Sequence, residues 1–278
     1  ILGVEAYIAP GDRRDRSGKD DNKYFHLVLL AENDIGWRNL IKLITRANLE
    51  GFYYKPRMDK EILREHHEGL IALSACLGGE VSRQLIDRRD YEGAKKIALE
   101  YDEIFGRGNF FIEIGHHPGI PETIPQREGL LKIARETGIP LVATQDIHYL
   151  KKEDAEVHDI LLAIGTGDLV SKPDRLTLRS DDFSMRTPDE MAALFTELPE
   201  AIENTAKIAD RCNVNIKLGE TQLPKFPLPP DVNANTYMRG LIEERIAGRY
   251  PELTQTVKDR LEYELSVVEK MWFADYFL

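Results

Sequence analysis

Two residues that could bind a metal ion follow a short apolar stretch in the middle of the chain. Asp146 and His148 come after the run Leu141–Ala143, which is typical of a buried strand. If the chain stays extended, side chains two residues apart leave the same face, so a carboxylate and an imidazole would point together. Such ligands suit zinc, manganese or iron. An aspartate that caps a helix and a histidine that packs would give the same spacing, so the interpretation depends on other donors.

Three further candidate ligands each lie within or at the end of an apolar run that predicts a strand: Glu5, His26 and Cys76. A histidine inside an apolar strand needs a polar partner, which could be a metal ion, whereas a free cysteine is usually a small core residue. Carboxylate, imidazole and thiolate together suit a cluster of zinc-like ions. Because a parallel barrel gathers its strand ends on one face, we expect all five side chains to converge there.

Two other groups of residues have weaker claims. His116 and His117 lie in a loop rich in glycine and proline, where they could be ligands or ordinary polar loop residues; we expect them at most to support the ligands from outside. Lys55 and Arg57 lie in a predicted turn with three aromatic residues and are candidate phosphate contacts. Tyrosines beside basic residues often have no such role.

Composition limits the class of protein. The 278 residues, 42% of them apolar, can form one large α/β domain, or a medium domain and part of another. A net charge of -11 argues against a surface that wraps nucleic acid by itself, so contact with nucleic acid should be local. The two cysteines are far apart and no cationic and apolar leader is evident, which favours the cytoplasm. No apolar run is long enough to span a membrane.

The elements that must position these residues alternate between strand and helix. Apolar runs and amphipathic stretches follow one another as far as residue 150, which predicts an α/β fold. The stretch 223–230 contains four prolines, which forbid a helix and disfavour a central strand, so it is the clearest domain boundary. The pattern beyond it is helical.

The chain resembles the alpha subunit of bacterial replicative DNA polymerase III over most of its length. The resemblance lies in the segments 3–7, 26–31, 54–57, 73–78, 143–149, 199–205, 211–213 and 273–278. It implies that residues 1–222 are a PHP (polymerase and histidinol phosphatase) domain without its N-terminal part, an incomplete distorted β/α barrel. It also implies that residues 223–278 are the start of the polymerase palm, and that the chain is a fragment truncated at both ends.

The same resemblance implies a site and an activity. Glu5, His26, Cys76, Asp146 and His148 match ligands of a three-metal site, with zinc or manganese expected, while a His-x-His motif and two further ligands would lie upstream of Ile1. The parent is expected to extend a primer on a DNA template with deoxynucleoside triphosphates and Mg²⁺, using palm aspartates beyond Leu278. Proofreading and clamp subunits are the expected partners, and the isolated fragment should bind metal poorly and be inactive.

Three interpretations of the PHP region follow from these residues. The site could hydrolyse DNA as a 3′ to 5′ exonuclease within the polymerase. The chain could instead be a free-standing PHP phosphoesterase of the histidinol phosphatase type. Finally, the metals could brace the fold without hydrolysing anything, because bracing and hydrolysis use the same ligands.

Overall fold

The computed structural model describes residues 1–17, 24–220 and 222–278. These residues form two compact units, Ile1–Asn215 and Ile216–Leu278. The first unit is a mixed α/β structure and the second is helical, so the predicted fold class is confirmed. The domain bounds predicted from the sequence, 1–222 and 223–278, remain predictions.

The first unit is built on one sheet of seven strands, in the order β3-β4-β1-β2-β5-β6-β7. The pairs β5 with β6, β6 with β7 and β1 with β4 are parallel, whereas β2 is antiparallel to both of its neighbours, β1 and β5. The strands are β1 (Gly3–Ile8), β2 (Phe25–Ala31), β3 (Phe52–Tyr53), β4 (Lys55–Met58), β5 (Leu70–Leu73), β6 (Phe110–Ile114) and β7 (Leu141–Ala143).

The expectation that a wholly parallel barrel gathers the donors was therefore wrong for β2. His26 lies near the start of β2 and pairs with Tyr7, two residues after Glu5. Because β2 runs against β1, its beginning lies at the same edge of the sheet as the end of β1. The antiparallel direction thus brings His26 to the donors, whereas a parallel β2 would carry it to the opposite edge.

Alternation along β1 and β2 decides which side chains face the site. Leu27 and Leu29 are buried in the main core, and so are Ala6 and Ile8 on the neighbouring strand. Side chains alternate between the two faces of a strand, so His26 lies on the face opposite to this core.

Helices pack beside the sheet and begin where capping residues allow. Asn33 caps the first of them, because its Oδ1 accepts hydrogen bonds from the Ile35 and Gly36 amides. The described residues form eleven α-helices: α1 (Asp34–Leu49), α2 (Lys60–Glu65), α3 (Glu80–Ile86), α4 (Tyr91–Phe105), α5 (Thr123–Thr137), α6 (Ala155–Thr166), α7 (Pro188–Leu194), α8 (Pro199–Arg211), α9 (Ala234–Arg249), α10 (Gln255–Lys270) and α11 (Ala274–Phe277).

The second unit has its own small core, which contains Met238, Leu265 and Ala274. Arg239 on α9 is joined to α10 by ion pairs with Glu262 at 3.1 Å and Glu269 at 2.6 Å. None of the helices in the described parts of either unit has the length and apolar content needed to cross a membrane.

Candidate metal centre

All five predicted ligands line one cavity of about 360 Å³ in the first unit. Glu5 and His26 come from the paired strands β1 and β2, and Cys76 follows β5. Asp146 and His148 follow β7, three strands away from β2 in the sheet. The fold therefore brings together donors that are up to 143 positions apart in the sequence (148 − 5).

Three of the five form a tight cluster. One ligand atom from each of Glu5, His26 and Cys76 lies within 4.8 Å of the other two, which is close enough for one metal ion to contact all three. His26 Nδ1 is 2.7 Å from Glu5 Oε1, yet this buried nitrogen has no well-aligned hydrogen bond among the described residues. The imidazole nitrogen lies close to the carboxylate but does not point at it. This arrangement suits two metal ligands that both point at the same cation.

The electrostatics of this cluster favour a positive charge. The closeness of Cys76 and Glu5 raises the pKa of His26 to about 9, and the closeness of His26 lowers the pKa of Glu5. In the absence of metal, the protonated imidazole supplies the cation that the surrounding acidic groups attract. Metal binding would require this proton to leave, which couples affinity for metal to pH.

The loop that carries Cys76 is shaped around His26. Ala75 has a left-handed φ of 62°, which is costly for a residue with a side chain and is typical of functional sites. The loop then passes so close to the imidazole that a Cβ on Gly78 would lie 2.9 Å from His26 Nδ1. A glycine is therefore needed at this approach.

Asp146 orients its neighbour through the backbone. It has a φ of 52°, so the chain is not a simple extension of β7 as the sequence suggested. The Nδ1 atom of His148 donates a hydrogen bond to the Asp146 carbonyl, 2.7 Å away. This bond fixes the ring tautomer and leaves Nε2 as the nitrogen with a lone pair for a metal ion.

A buried glutamate that the sequence analysis did not single out also lines the cavity. Glu113 on β6 is 8% exposed, and its Oε1 accepts a hydrogen bond of 2.7 Å from Thr144. Burial, opposed by the Thr144 bond and assisted by the charges of Asp146 and Glu5, raises its pKa to about 7. Glu113 could have been found from the sequence, because it is an acidic residue within the apolar run of β6. His26 was identified in the same way, as a polar residue inside an apolar strand.

We expect Glu113→Gln to change the pH dependence of stability in the metal-free protein. Because the folded pKa lies above the ordinary value of 4.5, the wild type loses free energy of unfolding as the pH rises toward about 7. Between about pH 6 and about pH 8, the wild type should lose roughly 1 kcal/mol more free energy of unfolding than the Glu113→Gln variant does. Urea denaturation in a chelator would measure it. Glu128→Gln, at an exposed position on α5, is the matched control, and equal pH profiles for all three proteins would refute the prediction.

The two adjacent histidines have different environments. His117 is 7% exposed, lines the cavity and stacks on Phe183 with ring centroids 4.5 Å apart. Neither of its ring nitrogens has a hydrogen-bond partner among the described residues, and burial lowers its pKa. His116 instead lies near Phe195, at 6.3 Å between ring centroids. Buried polar groups normally have hydrogen-bond partners, so His117 is a further group in this cavity, after His26, that lacks one among the described residues.

The basic residues predicted as phosphate contacts are not part of this cavity. Arg57 is 4% exposed, and its guanidinium donates hydrogen bonds to the carbonyls of Gly51, Arg13 and Asp15. The predicted turn is a hairpin of β3 and β4, and Arg57 supports it from within, so its proposed role was wrong. Among the described residues that line the cavity, Arg83 on α3 is the only lysine or arginine.

Comparisons with known proteins show what the sequence is similar to. The PHP domain family matches residues 1–117, which include Glu5, His26 and Cys76, although Asp146 and His148 lie beyond the matched stretch. A DNA polymerase III subunit alpha from Treponema pallidum is 42% identical over 280 residues and covers 100% of the chain. The same subunit from Thermus aquaticus is 44% identical over 262 residues and covers 91% of the chain.

The chain is similar to the alpha subunits of bacterial DNA polymerase III. It spans about a quarter of the length of these relatives, 24% of the Treponema protein and 21% of the Thermus protein. The resemblance expected from the sequence is confirmed, and so is a PHP region with a group of side chains able to hold a metal ion.

The donor set also limits the kind of metal. The thiolate and the imidazoles suit zinc, and the carboxylates also suit manganese, whereas magnesium and calcium prefer oxygen ligands alone. The residues present therefore fit the divalent ions that a PHP domain implies. The role of all five residues as ligands remains a prediction.

Proposed function

We propose that this chain is part of the alpha subunit of a bacterial replicative DNA polymerase. The full-length protein would extend a primer on a DNA template with deoxynucleoside triphosphates and Mg²⁺, in the cytoplasm, with proofreading and clamp subunits as partners. Similarity to polymerase III alpha subunits along the whole chain supports this. Within it, residues 1–222 would form the PHP domain and residues 223–278 the start of the palm.

The cavity is proposed to be a metal-dependent phosphodiesterase site that removes the 3′-terminal nucleotide of DNA. The observation that carries this proposal is the convergence of the five donors on one cavity. Divalent ions held there would acidify a water molecule and neutralise charge on the phosphate. In this proposal Glu5, Asp146 and His148 would hold the ions, and His26 and Cys76 would complete the ligand set.

Arg83 is the proposed phosphate contact. Its guanidinium is 44% exposed and lies 3.4 Å from Asp87, so the existing ion pair is a weak surface interaction that a phosphate can compete with. A single arginine suits a site that contacts one phosphate at the end of a strand. It does not suit a tract that holds a long polynucleotide, which needs several basic residues.

A second function, a metal brace without hydrolysis, is favoured by one observation. The donors come from β1, β2, the loop after β5 and the segment after β7, so bound ions would join four parts of the chain. The free-standing phosphoesterase is less well supported, because the relatives named above are polymerase subunits.

Removing the metal from the full-length protein separates the two functions. We expect chelation to abolish hydrolysis of a primer with a mismatched 3′ end, and added zinc or manganese to restore it, because the donors need a cation to act on a phosphodiester. Primer extension with Mg²⁺ is measured in parallel as a control for folding. If the metal-loaded protein shows no hydrolysis and chelation lowers its melting temperature, the phosphodiesterase is contradicted and the brace is supported.

A further inference from the structure

The lining of the metal-site cavity also contains apolar side chains, and metal coordination does not explain them. Leu162, Leu176, Leu178 and Phe183 form an apolar wall within this lining. Leu176 is 57% exposed, and Leu162 and Leu178 are half-buried, so this wall presents apolar surface to water. Exposing such surface costs free energy, and a ligand with an apolar face would recover it.

Most of this wall comes from a segment with no helix and no extended strand, residues 168–183, which we call the strap. Its first half is fixed to α6, because the guanidinium of Arg175 pairs with both carboxylate oxygens of Asp159, with Nη1 to Oδ1 at 2.6 Å. Thr177 donates a third hydrogen bond to the same carboxylate at 2.8 Å. Arg175 and Asp159 have side chains only 7% and 2% exposed, so the strap is held by a buried pair.

The other end of the strap is fixed to the metal ligands. The His148 amide donates a hydrogen bond of 3.0 Å to the Phe183 carbonyl, and the Phe183 amide donates one of 3.0 Å to the Tyr149 hydroxyl. The Phe183 ring lies 5.5 Å from the His148 ring, edge to face. The apolar wall is therefore held at a fixed distance from the predicted ligands, as a positioning surface must be.

The size and charge of the cavity restrict its occupant. About 360 Å³ is within the range of sites for small molecules, roughly 300 to 1,000 Å³, and too small for several nucleotides. The acidic donors and the one arginine in the lining suit a phosphate with metal ions, and the leucines suit a flat ring. Bases in single strands bind to such apolar and aromatic side chains irrespective of sequence.

We propose that the strap and Leu162 form a subsite for the base of the terminal nucleotide, so that the cavity acts on nucleotidyl esters in preference to esters without a base. This inference rests on the proposed phosphodiesterase. In the reaction, oxygen from water forms a bond to phosphorus and the bond from phosphorus to the leaving 3′-oxygen breaks. Water releases one proton to solvent, and the leaving oxygen takes up one proton from solvent to become the 3′-hydroxyl of the shortened strand. The nucleoside monophosphate with its base in the subsite is the product.

Two chromogenic diesters test the subsite in the full-length protein. The p-nitrophenyl ester of thymidine 5′-monophosphate has a base, whereas bis-p-nitrophenyl phosphate has none. In the wild type with manganese, kcat/KM should favour the thymidine ester. The double variant Leu176→Ala/Leu178→Ala should lower the ratio of the two kcat/KM values by about tenfold, mainly through KM, because the lost contacts are to the base. Leu169→Ala, on an exposed strap residue outside the cavity lining, is the matched control and should leave the ratio unchanged.

Binding gives a second measurement that does not depend on turnover. With manganese present, calorimetry should show that the wild type binds thymidine 5′-monophosphate more tightly than inorganic phosphate, and that the double variant loses this difference. If the wild type hydrolyses neither diester but shows the binding difference, the phosphodiesterase is refuted and the subsite is supported. Equal binding of the two compounds, or an unchanged ratio in the double variant, would overturn the subsite.

Discussion

Asp146→Asn in the full-length protein is expected to reduce metal-dependent hydrolysis of a mismatched 3′ end by at least about 100-fold, with primer extension retained. The substitution keeps the shape of the side chain but removes its negative charge, which is the property that a metal ligand needs. The fold should survive, because asparagine tolerates the left-handed φ of 52° at this position. His148 should also keep its orientation, since its hydrogen bond goes to the Asp146 backbone carbonyl.

The matched control for this variant is Asp210→Asn, on an exposed position of α8 outside the cavity lining. Both variants and the wild type are assayed for hydrolysis, primer extension, metal content and melting temperature. Hydrolysis in Asp146→Asn within about threefold of the wild type, after contaminating nucleases have been excluded, would contradict the catalytic role. A lower melting temperature in the same experiment would then assign Asp146 to the brace.

The candidate ligands could be found from the sequence because each one interrupts or ends an apolar run. His26 is the clearest example, since a polar side chain in a buried strand must find a partner. Glu113 gives the same signal in β6 and was missed, although its burial and raised pKa are as distinctive. A polar residue inside an apolar run therefore marks Glu113 as well as His26.

The direction of β2 and the role of Arg57 could not be predicted in this way. Strand direction depends on how a chain returns to the sheet, and local periodicity is the same for parallel and antiparallel strands. The partners of Arg57 are backbone carbonyls, two of them in Arg13 and Asp15, more than 40 positions away. Carbonyl groups are present in every residue, so no residue type marks them in advance.

The strap is another feature that could not be predicted from the sequence, and it lies at the functional site itself. Its apolar side chains have no period that predicts a helix or a strand, and the buried pair that fixes it joins residues 16 positions apart. Only the structure shows that Leu176 and Leu178 line the same cavity as Glu5 and Asp146. Residue types alone identified the chemistry of the donors, whereas the apolar wall depends on tertiary contacts.

The largest effect on stability is expected at the start of α1, from Gly36→Ala. A Cβ at this position would lie 1.7 Å from the Gly69 carbonyl oxygen and 2.5 Å from its carbon. Both neighbours are backbone atoms, so no side chain can move aside. Gly69 itself has a φ of 71° and its carbonyl accepts a hydrogen bond from the Glu32 amide, which fixes it further.

We therefore expect Gly36→Ala to lower the free energy of unfolding by about 3 kcal/mol or more, at or above the upper end for overpacking. The decrease would be measured by urea denaturation of the wild type and the variant, followed by circular dichroism. Gly165→Ala is the matched control, because Gly165 lies in α6 and a Cβ added there would meet nothing within 4 Å, so alanine should stabilise the helix by about 0.5 to 1 kcal/mol. Similar denaturation midpoints for the two variants would contradict the prediction. They would show that α1 can move away from Gly69, so that this close contact does not hold the helix against the loop before β5.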